Sequence, residues 1–255
     1  MGVRKGRAEI DQSRRADLKP ELLPGDLLLE VGRVFLGAPY QTGTLEAAGR
    51  ERLVVNLTAF DCTTFVEIVL ALAGSVMSAH DTRSEIRKNL KRIRYRQGRI
   101  NGYASRLHYF TDWLGDNEKK KIVKDVSRLL GGKPGRKKIN FMTLHPELYA
   151  ALRNKATLDE MRRVENRLSR KTFYLIDKNN FNAAKAKILS GDLIAFAAGQ
   201  EGLDVAHTGF AVRQGKSLRL LHASSKEGAV VISKETLPVY LKSNRKFTGI
   251  FVARF

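Results

Sequence analysis

Apolar positions begin to recur only at Pro24. The first twenty or so residues are polar, charged and aperiodic and are closed off by Pro20 and Pro24. Residues 1–21 therefore read as a basic N-terminal arm, and 22–255 as a single domain. From Pro24, Leu27, Leu28, Val31, Val34 and Phe35 recur at helical spacing until Gly37 and Pro39, which predicts a first amphipathic helix. A loop with Gly43 and Gly49 and a strand-like run at 53–57 lead into FDCTTFVEIVLALAGSVM. There Phe65, Val66, Ile68, Val69, Leu70 and Leu72 occupy nearly every side of the helical wheel, the pattern of a helix buried all round. It is the predicted centre of the core.

Farther on, Ile86, Leu90 and Ile93 form one apolar stripe in a segment, 83–99, otherwise dominated by Lys and Arg. A core-docked helix with a solvated basic face is the first reading, and a groove for a polyanion the second. Residues 100–190 mix an aromatic-rich stretch, a Gly- and Lys/Arg-containing loop at 131–138 and basic helix-like stretches around 145–170, without a repeat. From Asp192 the pattern becomes five short runs rich in Val, Ile, Leu and Phe, separated by Gly-containing turns, which predicts consecutive antiparallel strands. Helices first and a strand meander last make an α+β fold. The buried helix should lie on one face of a five-stranded antiparallel sheet, with a helical insertion at about 80–190 between them.

At 255 residues and 43% hydrophobic content the chain can bury a real core, and no apolar run approaches the roughly 18 residues of a membrane span. Charge changes the picture more. The 46 Lys and Arg against 26 Asp and Glu leave +20, which points to an anionic partner without choosing among nucleic acid, cell-wall polymer and acidic membrane surface. Arg4, Lys5, Arg7, Arg14 and Arg15 are followed by no apolar stretch, so no secretory signal is visible; the chain is cytoplasmic or a mature form. No HExxH, paired CxxC, P-loop spacing or GxGxxG after a strand occurs, and GGKPGRKK reads as a flexible basic loop. No metal and no cofactor is implied.

One cysteine excludes an internal disulfide and makes Cys62 a candidate nucleophile. Asp61 precedes it and the apolar helical pattern follows, so Asp61 reads as an N-cap and the thiol falls in the first helical turn. Unpaired N–H groups and the helix dipole there favour a thiolate and can hold an oxyanion; an inert buried thiol is the alternative. A base is also needed. VAHTGFAVRQGKSLRLLHA reads as a hairpin with Gln214 and Gly215 as its two-residue turn, which sets His207 directly opposite His222. Gly209 and Ala211 share that face, small enough to let the Cys62 helix approach. A one-residue slip of the turn would send the histidines to opposite faces. His145, before Pro146, reads as a helix-start residue and His80 as a loop residue, neither with a catalytic role.

FLGAPYQTG, FDCTTFVE, AHTGFAV and LLHASS resemble, in order and type, the motifs of the NlpC-type papain-like cell-wall cysteine hydrolases. VVNLTAFDCTTFVE, GYASRLHYFTDWL and INFMTLHPELY resemble the N-acetylmuramoyl-L-alanine-amidase-like branch of that superfamily, and the similar stretches together span about 22–255. The resemblance implies a papain-like (NlpC-type) fold with Cys62 as nucleophile, His207 as general base and His222 as the third, orienting member. It also implies that Tyr40 lies beside the nucleophile at the oxyanion or substrate site. Thr63 and Thr64 stand where Ser-Gly is common, and a long insertion replaces a short link. Within it Arg106, His108, Tyr109, Asp112 and Trp113 combine aromatic rings with hydrogen-bonding groups, as a wall of a sugar-peptide cleft would; a structural aromatic cluster is the alternative.

The expected function is cysteine-dependent hydrolysis of bacterial peptidoglycan at the N-acetylmuramoyl to L-alanine amide bond, without a cofactor. The alternative on the same stem peptide is a γ-D-glutamyl to diamino-acid endopeptidase. An acyltransferase on the same thiol-histidine scaffold, or a basic nucleic-acid-binding protein with an inert Cys62, are readings of other classes. Expected partners are peptidoglycan or muropeptide fragments and anionic envelope polymers, with no specific nucleic acid, and the expected location is periplasmic or secreted.

Overall fold

The computed structural model describes residues 22–46, 49–78 and 83–255; the N-terminal arm and His80 lie outside the described residues. Pro24 starts α1 (Pro24–Arg33), which buries Leu27, Leu28 and Val31. α2 (Cys62–Met77) starts at Asp61. The Asp61 carboxylate accepts from the Thr63 and Thr64 amides, and the Asp61 amide donates to Thr64 Oγ1, a complete capping box. Every residue from Thr64 to Ala73 is buried, as the all-round apolar pattern requires.

α3 (Arg83–Arg94) docks Ile86, Leu90 and Ile93 and leaves Arg83, Arg87, Lys88, Lys91 and Arg92 exposed. An ion pair locks it to α2: Arg94 Nε donates to Glu67 Oε2 at 2.6 Å, with both side chains only 2% exposed. The other arm of Arg94 donates to the Val54 carbonyl, and the Tyr95 hydroxyl to that of Arg52. Side chains from the end of α3 thus take up these carbonyls, and the strand-like run at 53–57 joins no sheet.

The chain continues through α4 (Phe110–Lys119), β1 (Lys124–Asp125), β2 (Lys133–Gly135), α5 (Phe141–Leu144), α6 (Lys155–Ser169), β3 (Phe173–Asp177) and α7 (Phe181–Lys185). The second half holds β4 (Leu193–Ala198), β5 (Val205–Gln214), β6 (Ser217–Ser224), β7 (Ala229–Ile232), α8 (Leu237–Ser243) and β8 (Phe247–Arg254). The strands form one antiparallel sheet in the order β2-β3-β8-β4-β5-β6-β7, with β1 also on β8. The α+β reading holds, but the sheet has eight strands rather than five. The insertion adds β1, β2 and β3 and so is not purely helical; at two, three and five residues they are too short to show alternation in sequence. Nor do the last five strands form a continuous meander. Segment 37–40 hydrogen-bonds along the outer edge of β7, through Gly37 N to Val230 O and Val230 N to Ala38 O. That edge is occupied, and β8 crosses back to the free edge of β4.

One face of the sheet, with Phe210, Val212, Leu221 and Ala223, packs against α1, α2 and α3. The other, with Phe196, Ala211, Leu218 and Leu220, packs against α7 and α8. The buried ion pair yields the first prediction. Glu67→Ala or Arg94→Ala alone leaves an unpaired charge in the core and lowers unfolding free energy by about 3–5 kcal/mol, while replacing both with Met costs far less. Urea unfolding checks this; single losses of under about 1 kcal/mol would place the pair among solvated surface bridges.

Candidate active site

Two pieces of chain fix the start of α2. On one side, segment 39–41 runs beside the approach to the helix: Phe60 N donates to Pro39 O at 3.0 Å and Gln41 N to Phe60 O at 2.9 Å. Tyr40 is thereby held next to Asp61 and Cys62. On the other side Thr208 Oγ1, from β5, donates to the Cys62 carbonyl at 2.9 Å.

The β5–β6 turn is Gly215-Lys216 rather than Gln214-Gly215, since Gln214 pairs with Ser217. Gly215 has φ +58° at the first central position, where a type II′ turn needs it. Moving a two-residue turn by one position shifts the pairing by two, and an even shift keeps every side chain on its face. The slip therefore does not separate the histidines. They are offset along the strands instead of directly opposed, and His207 Nε2 lies 2.6 Å from His222 Nδ1. A bulge between β4 and β5 falls beside His207, the kind of irregularity that re-aims a side chain.

The pair does not share its face with α2. It lies on the α8 face, and Gly209 makes room for His222, not for the helix: a Cβ there would come within 2.8 Å of the His222 Cβ. α2 meets this region where the β5–β6 ladder stops, at Phe210–Leu221, beyond which Thr208 turns to Cys62.

Electrostatics at the thiol also differ from expectation. Burial and the adjacent Asp61 carboxylate push the Cys62 thiol up, while hydrogen-bonding groups of Thr208 and Thr63 pull it down less strongly. The reason is local: Asp61 occupies the Thr63 and Thr64 amides that would otherwise favour a thiolate, and adds a like charge beside the sulfur. Among the described residues the Cys62 amide is the one N–H of this first turn left without a partner. Burial holds both imidazoles down, His207 to about 3, with His222 a second cause, and His222 to about 4. The resting site is a neutral thiol with neutral imidazoles. Burial, Cys62 and Asp61 push the Tyr40 phenol up to about 12.

The remaining predicted residues face inward. Tyr109 donates to Glu165 and accepts from the Met142 amide, Asp112 accepts from Arg96, and Trp113 is buried against Phe110. His108 bonds the Tyr103 carbonyl and is held at about 3 by burial and by Arg106. Asp112, Tyr109 and His108 thus spend their polar atoms on internal partners, while the buried Trp113 indole N–H has no hydrogen-bond partner among the described residues. Arg106 reaches the Leu45 carbonyl and Glu46, bracing the loop between Tyr40 and Asp61. His145 is half-buried, 3.5 Å from Glu147. Two residues escaped the sequence reading: Thr208, and Tyr240 of α8, whose ring packs on both imidazoles. The Thr236-Leu237-Pro238 helix start was the one available signal for α8. Among the described residues no cluster of three metal-binding side chains occurs, and no helix is long and apolar enough to cross a membrane.

Residues 30–250 match the family model described as N-acetylmuramoyl-L-alanine amidase-like. Among solved structures, an N-acetylmuramoyl-L-alanine amidase from Bacteroides uniformis is 38% identical over 91% of this chain and 98% of its own, with TM-score 0.85. A structure named as a xylanase from Bacteroides fragilis is 38% identical over 89% of this chain and all of its own (100%), with TM-score 0.82. A Legionella pneumophila protein, 20% identical over 96% and 92% with TM-score 0.69, shares the fold. No curated protein matches the chain.

The electrostatics of Asp61 can be tested without turnover. Asp61→Asn keeps a good N-cap but removes the charge that raises the thiol. The pH midpoint of Cys62 alkylation by iodoacetamide should therefore fall relative to wild type. An unchanged or higher midpoint would contradict the assigned cause.

Proposed function

Since the chain belongs to the N-acetylmuramoyl-L-alanine amidase-like family of peptidoglycan hydrolases, we propose that it cleaves the amide between N-acetylmuramic acid and L-alanine by cysteine chemistry on a papain-like, NlpC-type scaffold. The observation that carries this reading is the hydrogen-bonded His207–His222 pair at the open end of the β5–β6 ladder, where Thr208 also receives Cys62.

With Nε2 of His207 engaged by His222, Nδ1 makes none of the described hydrogen bonds and is the atom that takes the thiol proton. Proton transfer accompanies attack, because neither group is charged at rest. Sγ bonds to the lactyl carbonyl carbon, and the oxyanion is met by the unpartnered Cys62 amide and the Tyr40 hydroxyl. The His207 imidazolium protonates the alanine nitrogen, the C–N bond breaks, and the stem peptide leaves. Water, deprotonated by His207, then hydrolyses the thioester and restores the thiol. His222 orients His207 throughout. Glycoside cleavage, the activity named for one structural neighbour, usually employs two carboxylates flanking the bond. Of those near the site, Asp61 is committed to capping α2, and Glu227 and Glu235 line the cavity on the far side of His222. The +20 charge and the exposed basic face of α3 suit work against an anionic wall, and we place that work in the periplasm or outside the cell.

Mass spectrometry of disaccharide-peptide muropeptides tests the proposal. Wild type should release free stem peptide and disaccharide, Cys62→Ala should release neither, and His207→Ala should be slower by about 10²–10⁴-fold. A disaccharide still carrying L-Ala-D-Glu would assign the γ-D-glutamyl bond instead. Cleavage that survives Cys62→Ala would overturn the cysteine mechanism.

A further inference from the structure

The imidazole pair has a wall that the mechanism above does not use. Phe196 of β4 lies nearly parallel to His207 at 5.9 Å and 28°, and Phe247 of β8 stacks on Phe196 at 4.7 Å. Tyr240 closes the box. Its ring centroid is 5.4 Å from His222, edge to face at 78°, and 6.1 Å from His207. Of the three rings it is the one that packs against both imidazoles. Leu237 and Leu241, fully buried on either side of it in α8, fix its position independently of the site.

We infer that Tyr240 is a positioning residue of this hydrolase: its ring seals the imidazole pair from water on the α8 face and holds the His207–His222 hydrogen bond in register. The inference rests on the cysteine-hydrolase reading for its catalytic meaning, though not for its physical test. The aromatic ring does this, since the hydroxyl makes no described hydrogen bond. Burial, with Cys62 and Glu235 as lesser causes, raises the phenol to about 12, so it stays neutral wherever the enzyme works.

The titratable and charged groups around the pair are Tyr240 on α8, Cys62 at the start of α2, which acts on Tyr240, and four charged residues around a cavity of about 170 Å³ beside His222. Those four are Lys226, Glu227, Lys234 and Glu235, two of each sign, so exclusion of water governs the imidazoles there. Truncating Tyr240 joins the space of its ring to this polar cavity, which water can then fill. The desolvation that suppresses protonation is relieved, and both imidazoles move up towards the ordinary value of about 6.5.

Histidine ring titration by NMR, on the full chain without substrate, is compared among wild type, Tyr240→Phe and Tyr240→Ala. Tyr240→Leu, which keeps apolar bulk on α8 without a flat ring, replaces the alanine variant if that one fails to fold. The titration midpoint of His207 or His222 should rise by about one pH unit or more in Tyr240→Ala or Tyr240→Leu. The acid limb of kcat/KM should move in the same direction, with kcat down about 10- to 100-fold and KM little changed. Tyr240→Phe should match wild type in both. Unchanged midpoints in the truncated variants, or a Tyr240→Phe shift as large as theirs, would overturn the inference. Because the titration needs no turnover, its failure is distinct from a failure of the hydrolase reading, which Cys62→Ala reports separately.

Discussion

The capping of α2 by Asp61 is the constraint on which the site depends. One carboxylate satisfies two amides at the start of a helix whose next turns are wholly buried, so the position of Cys62 is set by the core. The same carboxylate uses up the positive end of the helix and places a negative charge beside the sulfur. Structural precision and thiol activation therefore oppose each other here. What remains for chemistry is the Cys62 amide, left over from the capping box, and whatever approaches the sulfur from outside α2.

Those approaches come from the sheet. β5 and β6 stay paired only as far as Phe210–Leu221, and the end of the ladder is where Thr208 grips Cys62 and the two histidines bond each other. In the proposed mechanism the sheet therefore supplies a base already oriented by a partner, while α2 supplies the nucleophile from the opposite layer. Burial keeps both sides neutral, so charge appears only when substrate is attacked. A mechanism of this kind needs no standing thiolate.

Much of this was legible in the residues. α2 could be read because its apolar positions surround the wheel, a pattern only burial on all sides explains. The His207–His222 pair could be read because alternation along a strand survives an even error in register. The turn itself was misplaced by one residue because a glycine can occupy either central position of a two-residue turn, and only backbone geometry decides. β1, β2 and β3 were hidden by their shortness, and Tyr240 by a seven-residue helix with no periodic signal. The five residues read as a cleft wall show a different limit. Asp112, Tyr109 and Arg106 read as solvent-facing polar residues until their partners arrive from other elements: Arg96 and Arg167, Glu165, and Glu46.

The central claim is that Cys62 carries the acyl group of the cleaved amide. Intact-protein and peptide mass spectrometry of wild-type enzyme, acid-quenched during turnover of a disaccharide-peptide, tests it most directly. The account predicts an added mass equal to the disaccharide acyl fragment, confined to the peptide that contains Cys62 and removed by hydroxylamine as a thioester is. Turnover with the adduct on another residue, or an adduct at Cys62 that carries amino acids of the stem, would contradict it.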